Sequence, residues 1–139
     1  MKIVLLIRQL EVGGAETQLC NLAEGLVGNG HDVIIVTFYP GGGLEARIVE
    51  SGIRICSLMK KSRWQWLRPA IEFYRIISSK EPDVIYSFLS GPNLFALIGR
   101  LCSRRVKVFW GVRTAASDTK IRPNDPFVAI LFRITLYLS

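Results

Sequence analysis

Apolar and polar positions fall into alternating blocks along the chain. After its first residue, Lys2 to Ile7 is an unbroken apolar run, as in a parallel strand covered on both faces, and Gly13-Gly14 then interrupt the pattern before a new period begins. From there Ala15, Leu19, Leu22, Ala23, Leu26 and Val27 recur at spacings of three and four, so they share one face of a helix that Gly28-Asn29-Gly30 ends. Val33 to Phe38 reads as the second strand, Pro40-Gly41-Gly42-Gly43 as a turn, Leu44 to Ser51 as a short helix stopped at Gly52, and Ile53 to Leu58 as the third strand. A helix over about Trp66 to Ser79 turns Trp66, Ala70, Phe73 or Tyr74, and Ile77 inward and is closed by Pro82. Asp83 to Phe88 is a fourth strand, Asn93 to Cys102 a fourth helix and Val106 to Val112 a fifth strand. Residues 114–125 read as a polar loop, and Pro126 suits the first turn of a last helix.

Strands that alternate with helices imply right-handed crossovers, and hence an α/β fold of the Rossmann-like kind: a parallel sheet covered by helices on both faces. The 139 residues suffice for one domain, with no internal repeat and no linker composition. The last helix reaches Ser139 without a stop signal, so the pattern is expected to be one domain of a longer protein. Half the residues are hydrophobic and 21% charged, which excludes a disordered chain. Cys20, Cys56 and Cys102 are odd in number and set among apolar neighbours, which suits reduced thiols in a cytoplasmic setting. The apolar start stops at Arg8 without a cleavage pattern, and the apolar tail from Pro126 is shorter than the roughly 20 residues of a spanning helix and is broken by Arg133.

In such a sheet ligands bind beyond the carboxyl ends of the strands, which gives priority to the loops at 9–14, 38–43, 87–92 and 111–116. The first sets two glycines at a helix N-terminus, where bare amides and the helix dipole favour a phosphate; the same pair also serves a tight turn. A dinucleotide fingerprint needs G-x-G-x-x-G and an acid at the end of the second strand, and Val36-Thr37-Phe38-Tyr39 offers none. The Lys-Ser or Lys-Thr of a nucleotide-hydrolase loop is missing as well. His31, the one histidine, falls at the opposite end of the sheet, so neither a metal-ligand spacing nor a Ser/His/Asp set is present. Arg113 follows the fifth strand and suits a phosphate-bearing ligand, or an ion pair with Asp118. Ser87 near the end of the fourth strand is a hydrogen-bonding candidate, and Asn93 at the start of the next helix a candidate for binding or capping.

Charge is unevenly placed. Residues 1–59 carry four basic and six acidic side chains, whereas 60–80 carry six and one. In that basic stretch Lys60, Lys61, Arg63 and Arg68 interleave with Trp64 and Trp66, a composition that suits contact with an anionic membrane surface and equally suits a solvated helix start. No nucleic-acid reading motif accompanies it.

Gly13-Gly14-Ala15-Glu16 with Leu19, Leu22, Ala23 and Leu26, then Gly30-His31-Asp32-Val33 leading into Val36-Thr37-Phe38, resembles the amino-terminal domain of glycosyltransferase family 4, the retaining enzymes of GT-B architecture. Pro82-Asp83-Val84-Ile85-Tyr86-Ser87-Phe88-Leu89, Asn93-Leu94 with Gly99-Arg100-Leu101, and Phe109-Trp110-Gly111-Val112-Arg113 are similar to its fourth strand, following helix and fifth strand.

The resemblance implies a two-domain hexosyltransferase-type enzyme that moves a sugar from a nucleotide-diphosphate sugar to a lipid-linked, polysaccharide or small-molecule acceptor, without an obligatory metal or other cofactor. Residues 1–139 match its acceptor-side domain, and the donor-binding carboxy-terminal domain has no counterpart, so this chain alone is expected to be inactive. By carry-over, Gly13, Gly14 and Glu16 approach the donor diphosphate, Ser87 and Asn93 face the acceptor, and Arg113 stands where many members have a catalytic-site histidine. The competing reading is a stand-alone binding module, peripheral to the inner face of a membrane through Lys60, Lys61, Arg63, Trp64 and Arg68, with no catalysis and no nucleic-acid partner.

Overall fold

A computed structural model of the chain describes residues 1–59, 67–88, 95, 96, 99, 100 and 105–111. Within them the order is β1 (Lys2–Ile7), α1 (Gly14–Gly28), β2 (Asp32–Thr37), α2 (Glu45–Glu50), β3 (Arg54–Ser57), α3 (Leu67–Lys80), β4 (Val84–Phe88) and β5 (Lys107–Gly111). The strands form one sheet in the order β3-β2-β1-β4-β5, and every pairing is parallel. β1 is central, with Ile3 opposite Val33 of β2 and Val84 of β4. The chain winds outward from β1 through β2 to β3, then crosses back to β4, so the strand order reverses between β1 and β4.

The unbroken apolar run of β1 follows from burial on two sides. Ile3, Leu5 and Ile7 pack with Val33 and Ile35 against Leu19, Cys20 and Ala23 of α1 and Ile48 of α2. Val4 and Leu6 pack with Ile34 and Val36 against Phe73 and Ile77 of α3 and against Phe95 and Ala96. Phe95 meets Phe38 edge-on, ring centroids 4.7 Å apart, and Phe73 at 6.1 Å. Each such aromatic pair adds roughly 0.5–1.5 kcal/mol beyond area burial.

One helical face differs from the expected one, and on another the structure decides between two expected residues. On α1 the buried row is Leu19, Cys20 and Ala23, while Val27 is 39% exposed, because the last turn passes the edge of the core before the Gly30 bend at φ +79°. On α3 Phe73 is buried and Tyr74 is 52% exposed, which settles the choice between neighbours: only one can face the sheet at 100° per residue. Cys20 and Cys56 are free thiols on opposite faces of the sheet. Burial pushes the Cys20 thiol up from its ordinary value, which keeps it protonated and inert. Phe95, Ala96, Gly99 and Arg100 are helical, as expected for the stretch at 93–102; the expected loop at 114–125 and the last helix lie outside the described residues.

Two contacts outside the core hold the frame. Arg47 of α2 donates to Glu24 of α1 from Nε at 2.8 Å and Nη2 at 2.6 Å, and Nη2 also donates to Asn21 Oδ1 at 2.7 Å. At the carboxyl edge the Leu10 carbonyl accepts from the Leu44 amide at 2.9 Å, and Gly42, at φ +128°, lies so close that a Cβ would fall on that carbonyl.

Gly42→Ala combines a disfavoured backbone conformation with a backbone clash, so chemical denaturation should show a loss of about 2–4 kcal/mol. The hydrogen bonds from Arg47 hold the Glu24 carboxyl below the usual carboxylate range. A depressed carboxylate contributes stability that is complete above the ordinary glutamate value of about 4.3 and is lost as pH falls through the lowered one. Melting temperatures recorded through the acid range should therefore fall less steeply for Glu24→Gln than for the parent chain.

Candidate functional site

The reversal of strand order between β1 and β4 opens a crevice beyond their carboxyl ends. Its floor is the loop from Arg8 to Gly13. The Arg8 carbonyl accepts from the amides of Phe38 at 3.0 Å and Tyr39 at 3.2 Å, which ties the end of β1 to the end of β2. Leu10 is 1% exposed and anchors the middle of the loop, Gln9 Nε2 donates to Glu11 Oε1 at 2.9 Å, and Val12 stands 78% exposed at the rim.

From this anchored loop the chain enters α1. Gly13 is the N-cap in an extended conformation (φ −156°, ψ 168°), and no side chain caps the helix. The Gly13 carbonyl already accepts from the Thr17 amide at 2.9 Å, while the first helical amides, from Gly14 on, have no partner within the helix. A Cβ at Gly14 would meet nothing within 4 Å, so the approach to these amides is open. At Gly13 the Glu16 carboxylate folds back into the place a Cβ would take. Both glycines are thus at the carboxyl edge, next to the switch point, with positive dipole ends outward. Glu16 thus places a negative group beside Gly13, in the first turn of the helix, and leaves the space at Gly14 open.

Arg8 was not singled out in the sequence, yet it is exposed at the same edge, its guanidinium carbon 5.7 Å from the centre of the Tyr39 ring. Stacking on a ring leaves the N–H edge of the guanidinium available to an acceptor. No ion pair involves Arg8 among the described residues. The signal for it was the one used for Arg113: a cation directly after an apolar strand. Thr37, the last residue of β2, is 1% exposed and its hydroxyl has no hydrogen-bond partner among the described residues.

Ser87, the hydrogen-bonding candidate near the end of the fourth strand, is fully buried; its Oγ donates to the Phe109 carbonyl at 3.5 Å. Strand alternation puts it beside Ile85 on the α3 face, inside the sheet. Asn93 and Arg113 lie outside the described residues, as do Lys60, Lys61, Arg63 and Trp64, while Arg68 is exposed in the first turn of α3. His31 is at the amino edge, where its amide donates to the Leu26 carbonyl at 3.1 Å. No cluster of His, Cys, Asp or Glu that could hold a metal ion occurs among the described residues. No helix among them is long and apolar enough to cross a membrane. A separate apolar groove of about 390 Å³ lies between Leu22 and Leu26 of α1 and Tyr86 and Phe109 of the sheet, away from the glycine pair.

The sequence matches the profile of Glycosyltransferase Family 4 over residues 12–138, which begins at the loop just described and takes in both glycines. The chain belongs to Glycosyltransferase Family 4. No curated protein sequence matches it closely. Among solved structures it is similar to Alr3699/HepE from Anabaena, a complex with UDP and glucose, at TM-score 0.62 and 18% identity over 79% of this chain and 29% of that one. It is similar as well to the lipopolysaccharide outer core galactosyltransferase WaaB, at TM-score 0.62 and 16% identity over 79% of this chain and 32% of that one. A UDP-GlcNAc 2-epimerase from Methanocaldococcus jannaschii follows at TM-score 0.58 and 13% identity, over 96% of this chain and 37% of that one. These likenesses concern the fold, a GT-B-type Rossmann-like domain, and this family chain spans roughly a third of each of those proteins' length.

Proposed function

We propose that this Family 4 chain is the acceptor-side half of a retaining glycosyltransferase, which moves a hexose from a nucleotide-diphosphate sugar to an acceptor in a cleft above β1 and β4. The observation that carries the reading is the uncapped N-terminus of α1: a glycine pair on an anchored loop, open in front of Gly14, at the switch point of a parallel sheet. The fold relatives support it, since one was solved with UDP and glucose and another is a galactosyltransferase. The chain spans about a third of those relatives' length, and in this reading the remainder of such an enzyme supplies the main grip on the nucleotide, so this stretch by itself turns over no donor.

In this scheme the acceptor hydroxyl attacks the anomeric carbon on the face from which the diphosphate departs. The bond from that carbon to the diphosphate oxygen breaks, and the acceptor proton passes to the departing diphosphate. The charge that develops on this oxygen meets the amides of Gly14 and its successors, and such preorganised donors stabilise a transition state without reorganising. The Glu16 carboxylate must swing off Gly13 first, because it and a diphosphate carry like charge. Once displaced, it is placed for a sugar hydroxyl rather than for phosphate. Arg8 adds a cation at the rim, and Arg113 and Asn93, which follow β5 and β4 in the chain, are the further candidates for the anion and the acceptor. The chemistry calls for no resident metal, since amides and guanidinium groups supply the positive potential.

Two substitutions test the scheme by calorimetric titration of a nucleoside diphosphate into the chain and by donor KM in an enzyme that carries both domains. Gly14→Val, which hoods the amides, should weaken binding about tenfold, since a charge-assisted hydrogen bond is worth roughly 1.5–3 kcal/mol. Equal affinity in parent and variant would remove the glycine pair from the site. Arg8→Ala should raise KM for whichever substrate carries the anion at the rim by about tenfold, with little change in melting temperature because the residue is exposed.

A further inference from the structure

The carboxyl edge of the sheet carries two positive features, and the strands place them on different sides. Helix α1 packs through Leu19, Cys20 and Ala23 on the face that holds Ile3, Leu5 and Ile7, so its uncapped N-terminus belongs to that side. Arg8 belongs to the other. Its guanidinium carbon lies 5.7 Å from the centre of the Tyr39 ring, and Tyr39 packs against the cluster of Val4, Leu6 and Phe38 on the α3 face. The edge of the sheet therefore stands between the open amides and the guanidinium.

Arg8 is held at both its backbone and its side chain. Its carbonyl accepts from the amides of Phe38 and Tyr39, and its guanidinium rests on a ring that is itself half-buried. A guanidinium stacked in this way has already lost part of its freedom, and its N–H edge presents a fork that matches two oxygens of a carboxylate or a phosphate. No ion pair among the described residues uses that fork; Glu11, three positions on, accepts from Gln9 Nε2 at 2.9 Å instead. A diphosphate on the amides that begin with Gly14 has its charge on the α1 side, whereas the fork serves a group on the α3 side of the crevice. We propose that the Arg8–Tyr39 pair receives an oxyanion of the acceptor, a phosphate or a carboxylate, and not the donor diphosphate. This assignment rests on the transferase reading, which brings a second substrate to the same edge.

Nuclear magnetic resonance titration of the isotope-labelled chain tests it, following the Arg8 Nε–H signal and the backbone amides, with UDP, glucose 6-phosphate, glucuronate and glucose as probes. UDP should shift the amides from Gly14 on and leave Arg8 unmoved. Glucose 6-phosphate, glucuronate or both should shift Arg8 Nε–H together with the Phe38 and Tyr39 amides, and glucose should shift none of these. A response to only one of the two anionic sugars names the oxyanion. Arg8→Gln should weaken binding of the responding sugar by at least about tenfold, and Tyr39→Leu by about two- to fivefold through loss of the stacking, with circular dichroism showing both variants folded like the parent. A shift of Arg8 by UDP as large as that of Gly14, no shift of Arg8 by either anionic sugar, an equal shift by glucose, or parental affinity in Arg8→Gln would each overturn the proposal. Silence of the Gly14 amide toward UDP counts against the transferase reading alone, and there the Arg8 response to the anionic sugars still decides whether the pair binds an oxyanion.

Discussion

Burial of β1 on both faces is the constraint from which the rest follows. A strand with no solvent-facing side must be apolar at every position, and its backbone must be paired on both edges; β2 and β4 provide that pairing. Because β1 is locked from four directions, the loop that leaves it starts from a fixed point. The Arg8 carbonyl then joins this loop to β2, and the Leu10 carbonyl joins it to the segment before α2. The amides at the start of α1 are therefore held by the stiffest part of the molecule, which suits a group that has to stabilise charge without moving.

The Glu16 carboxylate sits beside Gly13, and among the described residues no hydrogen bond holds it there. An acid in the first turn favours the helix by opposing its dipole, and the contribution is surface-sized, about 0.3–1 kcal/mol.

The element pattern was legible because β1 and β2 are buried on both faces and α1 has a regular apolar row; every expected strand among the described residues is present, shifted by at most a residue at an end. Tyr74 and Val27 show where period alone stops: it ranks the faces of a helix but does not say where the sheet beneath ends. The place of Gly13 and Gly14 at a helix N-terminus was legible because they interrupt one apolar period just before another begins. Arg8 was read only as the end of an apolar run, since its value depends on Tyr39, which is 31 positions away and is brought near by the β1–β2 pairing. For Ser87, nearness to the end of a strand does not tell which way the side chain turns, and it is buried against the Phe109 carbonyl. Gly42 looked like turn composition, and its contact with Leu10 is tertiary.

The groove beside Tyr86 and Phe109 has its origin in chirality. Right-handed connections place α1 and α2 on one side of the sheet, and place α3 with Phe95 and Ala96 on the other. Each winding direction shields one surface only, so among the described residues no helix lies over the flank of β4 and β5 that shares its side with α1, a result of topology rather than of poor packing. Phe109, half exposed there, records the asymmetry: within the described residues the sheet has two layers over its centre and a single layer over one wing.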